Sequence, residues 1–265
     1  DEYYIRACGE YFIDDYDCRV INARGYAGMK LYNPIMCNPY LMNDIGEYIN
    51  KTCLENKNKK VFAVGFSYGG FLLSRCLGNE ADTLPKNFMG GCGTCYPVDL
   101  EECGKFCENK YYGVYTKGSL LRLKEIFLNN LDSIFDERTC KKEILEKKDY
   151  FIKLITEANR LSDLDKKYNP FVLGFESSEE YYKYSNSERF LANIKVPFLS
   201  WFTEDDPIVP IRSIPFKTLQ ANSNTVTIVT ENGGHIGFFD GLIMPQRTLN
   251  EPIKNFLSTI EILRD

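Results

Sequence analysis

An apolar run, Val61-Phe-Ala-Val64, stops at Gly65-Phe-Ser-Tyr-Gly-Gly70, and apolar helical sequence resumes at once with Phe71-Leu-Leu73. A strand that enters a helix through a glycine turn, with no room for a hairpin, predicts a βα unit whose next strand lies parallel to the first. The pattern repeats along the chain. Tyr4, Ile5, Cys8, Tyr11 and Phe12 recur at helical spacing, and residues 18–23 read as a short strand ending at Arg24-Gly25. Leu41, Ile45, Tyr48 and Ile49 mark a helix before Val61, and the Gly-rich run 88–95 reads as the strand after Phe71. Strand character returns at 196–202 and 225–229, and a closing helix spans 251–263. The expected fold class is α/β: a mostly parallel sheet flanked by helices.

Between these halves the pattern changes to long polar helices carrying Leu121, Leu123, Ile126, Phe127 and Leu131, then Ile144, Tyr150, Phe151 and Leu154. The chain is therefore expected to divide into a core, residues 1–97 and 191–265, and a helical cap or insertion, residues 98–190. No internal repeat is evident, and the Asn/Lys stretch 55–60 reads as a solvated loop.

Composition narrows the function classes. Lys plus Arg is 32 against Asp plus Glu 37, a net charge of −5, which offers no general attraction to a phosphate backbone, so no nucleic-acid partner is expected. Ten cysteines at irregular spacing read mostly as free thiols. No apolar run approaches the ~18 residues of a membrane span, and the N-terminus lacks the basic and apolar regions of a signal peptide. A soluble, intracellular chain is the expectation, with the reservation that it opens on Asp1 rather than Met.

The chemistry concentrates in three segments. Gly65-Phe-Ser-Tyr-Gly69 has the G-x-S-x-G form of a nucleophile elbow: glycines flank the serine where a Cβ would clash, and the Ser67 hydroxyl projects at the carboxyl end of the sheet and the positive end of a helix. An N-cap serine in a structural turn is the plain alternative. A serine nucleophile needs a base, and the chain has one histidine, His235, in the glycine-rich loop Gly233-Gly-His-Ile-Gly-Phe238 after the strand 225–229. The alternative for His235 is a surface residue of a flexible loop. The third member must be a carboxylate that fixes the imidazole tautomer. Asp205 and Asp206, in Glu204-Asp-Asp-Pro-Ile-Val-Pro210, compete for that role. Asp206, directly before the Pro-Ile-Val-Pro run, is preferred, and a turn aspartate before Pro207 is the alternative. Chain order is then Ser, Asp, His.

Cys92-x-x-Cys95 followed by Cys103-x-x-x-Cys107 imitates a four-thiolate zinc site. The first pair falls on a core strand and its exit, so packing is the preferred reading, and no metal or cofactor is expected. Phe238, Phe239, Ile243 and Met244, just beyond His235, read as an apolar surface suited to an acyl chain.

These motifs resemble one α/β-hydrolase family: that of the animal acylglycerol lipases and phospholipases, the yeast medium-chain fatty-acid ethanol acyltransferases and their bacterial hydrolase relatives. The resemblance is carried by Arg24-Gly-Tyr-Ala-Gly28, Gly65-Phe-Ser-Tyr-Gly-Gly70, Asp205-Asp-Pro-Ile-Val-Pro210 and Gly233-Gly-His-Ile-Gly-Phe238. Gly174-Phe and Tyr181-Tyr-x-x-Ser185 add a fifth segment, so the match runs almost end to end. It implies Ser67, Asp206 and His235 as the catalytic residues of a cofactor-free hydrolase of carboxylic esters, lipid or medium-chain, with acyl transfer to an alcohol as a variant of the same chemistry. The substrate partner is a small acyl ester or lipid. Membrane contact falls to a segment upstream of residue 1 or to an apolar pocket rim.

One departure from the family stands out. Its H-G-x-x-G-like loop, expected to give half of the oxyanion hole, has no counterpart here, which leaves the N–H of Tyr68 as the other half. The resemblance also places a further strand between those at 18–23 and 61–64. An N-terminally truncated chain, poorly folded by itself, is the resulting expectation. The contrary reading, with Asp1 as a true start, is a non-catalytic hydrolase-fold protein that binds a small apolar ligand.

Overall fold

The computed structural model of the chain describes residues 3–36, 38–110, 113–241 and 246–264. The chain opens with α1 (Tyr3–Phe12) and reaches α2 (Met42–Glu55), β1 (Val61–Phe66), α3 (Tyr68–Asn79) and β2 (Phe88–Thr94). A run of helices follows: α4 (Leu100–Asn109), α5 (Val114–Leu128), α6 (Leu131–Ile134), α7 (Lys142–Leu145), α8 (Lys148–Glu157), α9 (Leu161–Lys167), α10 (Asn169–Leu173) and α11 (Ser178–Ser185). Then come α12 (Glu188–Asn193), β3 (Phe198–Thr203), α13 (Phe216–Ala221), β4 (Thr225–Thr230), the short pair β5 (Phe239–Asp240) and β6 (Gln246–Arg247), and α14 (Asn250–Leu263). Two compact units emerge: Asp1–Val20, Tyr40–Asp99 and Asn186–Asp265 in one, Ile21–Pro39 and Leu100–Ser185 in the other.

The first unit is built on a four-stranded sheet in the order β1-β2-β3-β4, every neighbouring pair parallel. Parallel strands need crossovers, and α3 and α13 supply those between β1 and β2 and between β3 and β4. Because side chains alternate along a strand, Leu199 and Trp201 of β3 join the cluster formed with Phe12, Cys92, Ile253 and Leu257, which draws in α1 and α14. Phe198 and Phe202 instead meet the Tyr96 ring, at 6.2 and 4.9 Å between centroids, and the Tyr96 hydroxyl lies 2.7 Å from Ser200 Oγ. Helices α3 and α12 pack closely. A Cβ on Gly78 would stand 2.1 Å from the Phe190 carbonyl oxygen, so only glycine lets the two backbones approach this closely. Arg75 of α3, fully buried, lays its guanidinium over the Phe190 and Phe71 rings at 4.4 and 5.3 Å.

The strand expected at 18–23 is not formed. Val20 and Ile21 have the β-branched character of a strand, but a strand exists only with a neighbour to take its N–H and C=O groups. Here the two side chains are 54% and 40% exposed, and the segment's ionic ties run to the end of α2 and the loop after it, from Arg19 to Glu55 and from Asp17 to Lys59.

The second unit is helical. Phe127, Phe151 and Tyr168 meet edge to face, with Phe127–Tyr168 at 5.9 Å and Phe151–Tyr168 at 5.2 Å, inside a cluster that also holds Leu31, Met36, Ile134 and Leu164. Residues 21–39 belong to it by hydrogen bonds as well: the Tyr168 hydroxyl donates to Pro34 O at 2.7 Å, and Leu31 N–H donates to Asn130 Oδ1 at 3.0 Å. Among the described residues no helix is long and apolar enough to cross a membrane.

Asp165 of α9 gives this unit a pH-sensitive element. Its carboxylate accepts from Asn169 Nδ2 at 2.8 Å and from the Tyr181 hydroxyl at 3.2 Å, yet burial pushes its pKa from 3.8 up to about 6, with the charge of Glu108 adding to the rise. A carboxyl group raised on folding binds its proton more tightly in the folded state. The fold is therefore penalised for its charge as pH climbs from about 4 through about 6, and the penalty is complete above that window. Asp165→Asn, neutral and nearly isosteric, is expected to stabilise the protein by about 1–2 kcal/mol at pH 7.5, less than the full shift because one acceptor is lost, and by close to nothing at pH 4. Thermal melts of both proteins at the two pH values check this. An Asn variant less stable than the parent at pH 7.5 contradicts it.

Candidate active site

Ser67 sits between β1 and α3 with φ 48° and ψ −122°, a left-handed conformation that costs a non-glycine residue on the order of 1–3 kcal/mol and persists only where its surroundings hold it. Two backbone bonds do so: Ser67 N–H donates to Thr94 O at 2.9 Å, and Phe71 N–H to Ser67 O at 3.0 Å. The turn closes this tightly because of its glycines. A Cβ on Gly65 would lie 2.6 Å from Gly69 O, and one on Gly70 would lie 2.9 Å from Tyr96 Cβ. Although Ser67 occupies the N-cap position of α3, its hydroxyl makes no capping bond. The hydroxyl lies instead 2.8 Å from His235 Nε2.

His235 Nδ1 in turn stands 2.9 Å from Asp206 Oδ2 and 3.1 Å from Oδ1. With a carboxylate at Nδ1, that nitrogen carries the proton, and Nε2 presents its lone pair to the serine hydroxyl. Asp206 is 2% exposed at its side chain and His235 14%, so the pair is largely shielded from water. A buried carboxylate needs donors, and Asp206 Oδ1 accepts the N–H groups of Ile208 at 2.7 Å and Val209 at 2.9 Å. Of the two aspartates that compete in sequence, Asp206 is thus the one placed at the imidazole.

Asp205 has a different task. Its carboxylate accepts Gly234 N–H at 2.7 Å and Gly233 N–H at 3.3 Å, clamping the loop just before the histidine. Thr203 Oγ1 donates to Gly234 O at 2.9 Å, and Arg247 Nη2 donates to Ile236 O at 2.7 Å, just beyond it. Within the loop, Gly237 and Phe238 N–H both reach Gly233 O at 3.0 Å. These bonds sustain positive φ at Gly234, Ile236 and Phe238. Sequence reasoning assigned none of Asp205, Thr203 or Arg247 to this support. The paired aspartates were the one available signal.

Phe238 does not line an acyl surface: the turn at φ 49° points it inward, where it is 5% exposed and packs on Trp201 at 4.6 Å between rings. Phe239 is 59% exposed, while Ile243 and Met244 lie outside the described residues. Tyr68 opens α3 directly after Ser67, with its ring 5.1 Å from Phe71. Cys92 and Cys95 are fully buried in the core. Among the described residues no group of three or more His, Cys, Asp or Glu side chains is placed to hold a metal ion.

No family model matches the chain. Curated proteins similar to it include an abhydrolase domain-containing protein of Dictyostelium discoideum, 30% identical over 83% of this chain and 53% of that protein. A monoacylglycerol lipase of Saccharomyces cerevisiae is 28% identical over 97% of this chain and 56% of that protein. The chain thus spans about half the length of these relatives. Among solved structures, a thermophilic esterase from Thermogutta terrifontis matches over 100% of this chain and 85% of its own at a TM-score of 0.51 and 15% identity, a likeness of fold. With a parallel sheet flanked by helices, a serine turn at the end of β1 and these relatives, the chain belongs to the α/β-hydrolase superfamily.

Proposed function

We propose that this chain carries a carboxylic-ester hydrolase of lipase or esterase type that works through an acyl-enzyme on Ser67, with lipid or medium-chain acyl esters as its substrates. The observation that carries the reading is the unbroken hydrogen-bond chain from Ser67 Oγ through His235 to Asp206. As Ser67 Oγ attacks the ester carbonyl carbon, His235 Nε2 takes the hydroxyl proton and the carbonyl oxygen becomes an oxyanion. The Tyr68 N–H, at the positive end of α3, is assigned to that oxyanion. Collapse breaks the carbon–alcohol bond, and the alcohol leaves with the proton from His235. Water then attacks the acyl-enzyme, giving its proton to Nε2, and the carboxylic acid departs as Ser67 recovers its hydrogen. An alcohol in place of that water would yield a new ester through the same residues, so acyl transfer is a change of acceptor only.

Asp206 holds the imidazole tautomer and balances the imidazolium formed in both halves of the cycle. The similarity to a yeast protein named monoacylglycerol lipase supports the lipid-ester choice. The test is hydrolysis of p-nitrophenyl esters of rising acyl length by the folded protein. Turnover with an initial burst of nitrophenol is expected. A folded protein that binds the esters and releases no nitrophenol contradicts the reading and favours a non-catalytic apolar-ligand binder.

A further inference from the structure

The Ser67–His235 contact joins segments that lie 168 positions apart, so its 2.8 Å length depends on how the end of β1 and the loop 233–238 are held to each other. Asp205 and Thr203 secure that loop on the near side of His235, through Gly233 and Gly234. On the far side the tie is Arg247. Its place is set by the pairing of β6 with β5, opposite Phe239, and its Nη2 donates to Ile236 O at 2.7 Å. Arg247 is itself docked on the first helix: the guanidinium lies over the Tyr4 ring of α1, 5.9 Å from the ring centroid. The same ring meets Phe66, the residue before Ser67, edge to face at 5.6 Å. One aromatic side chain thus touches both the neighbour of the nucleophile and the support of the base.

We propose that Tyr4 is a positioning residue whose ring braces the end of β1 against the Arg247-supported His235 loop and so sets the Ser67–His235 distance. The proposal rests on the ester-hydrolase reading for its kinetic consequences and on geometry alone for its structural ones. Helix α1 is a fixed base for such a brace: Phe12 is buried in the core, Asn250 Nδ2 of α14 donates to Ala7 O at 3.2 Å, and Lys254 pairs with Asp15 just past the helix end. Arg247 depends on the ring because its Nε is buried without a hydrogen-bond partner among the described residues, and an aromatic face offsets part of the cost of enclosing that cation. Without the ring the guanidinium would turn toward water and release Ile236 O, and Ile236 holds its φ of 67° only while its surroundings keep it there. Phe66 would at the same time lose its edge contact at the step into the serine turn. Tyr16 offers the comparison: its ring packs on Phe62 at 6.3 Å, edge to face, on the same face of β1 but near the start of the strand.

Tyr4→Leu and Tyr4→Met remove the ring and keep apolar volume, the flexible methionine filling the space if leucine does not. Each is expected to lower kcat for ester hydrolysis by ~3–10-fold with KM unchanged, while Tyr4→Phe, which keeps the ring face and edge, stays within ~2-fold of the parent. Tyr16→Leu is expected to lower Tm as Tyr4→Leu does and to leave kcat in place. The losses of Tyr4→Leu and Arg247→Met are expected not to multiply when the two are combined, because both break one connection. The chain's single histidine supplies a second reading, since imidazole NMR signals come only from His235. Tyr4→Leu is expected to shift and broaden them, and Tyr16→Leu to leave them unchanged. A folded Tyr4→Leu or Tyr4→Met variant with the parent kcat or the parent imidazole signals overturns the proposal, as does an equal loss of kcat in Tyr16→Leu or a multiplied loss in the double variant. The imidazole signals are read whether or not the protein turns over ester, so failure of the ester-hydrolase reading shows separately, as a folded parent without turnover.

Discussion

Ser67→Ala is expected to lower kcat for ester hydrolysis by ~10⁴–10⁶-fold while KM and Tm change little. The loss is large because the hydroxyl is the atom that forms the covalent bond: His235 has nothing to deprotonate without it, and a water in its place lacks the alignment that the strained turn imposes. The fold should be indifferent, or slightly favoured. The Ser67 hydroxyl makes no capping bond to α3, so its removal deletes no support from the helix. Steady-state kinetics and a melting curve on the same preparation separate the two effects. A variant that keeps more than ~1% of parent kcat would require a different nucleophile.

The second large effect is expected at the acid. Asp206→Asn should reduce kcat by ~10⁴-fold at neutral pH, through the tautomer of His235 rather than through folding. An asparagine amide can offer its N–H₂ to the imidazole, which favours the form with the proton on Nε2, where the Ser67 hydroxyl needs an acceptor. The carbonyl oxygen of that amide can still accept the Ile208 and Val209 N–H groups, so the loop 206–209 should retain its shape. Kinetics of Asp206→Asn beside Asp205→Asn check the assignment. Asp205 clamps Gly233 and Gly234 from an exposed position, and its loss should be felt only several-fold. If the two variants lose activity equally, the choice of Asp206 over Asp205 is wrong.

Much of this site was legible in the sequence because its constraints are local. A serine in a strand-to-helix turn needs glycine at positions 65 and 70, where a Cβ would meet Gly69 O or Tyr96, and that requirement is written in six consecutive residues. The single histidine left no choice of base. The parallel sheet was legible for a similar reason, since the apolar runs at 61–66, 88–94 and 198–203 are each separated by helical sequence.

What sequence did not reveal depends on partners far along the chain. Residues 18–23 have strand-like side chains, but pairing is a property of two segments, and the second is not among the described residues. Phe238 is as apolar as an acyl-pocket residue should be. Its inward direction follows from positive φ values at Ile236 and Phe238, held by bonds from Arg247, Thr248 and Gly233. Sequence prefers Asp206 over Asp205 only for its place before Pro207; which carboxylate faces Nδ1 and which faces the glycine amides is set by the fold. Cys95 reads in sequence as a core thiol or half of a metal motif. Its 3.7 Å contact with Gly234 O crosses more than a hundred residues and exists only in the folded chain.

The most direct measurement is covalent. A fluorophosphonate probe phosphonylates a serine hydroxyl only when a neighbouring base activates it, with fluoride as the leaving group. Incubation of the folded protein with the probe, followed by digestion and mass analysis of the peptides, is expected to place one adduct on Ser67, with no adduct in Ser67→Ala and slow labelling in Asp206→Asn. A folded protein that takes up no probe, or takes it up on another residue at the same rate in Ser67→Ala, would contradict the assignment of Ser67, His235 and Asp206 as the reacting centre.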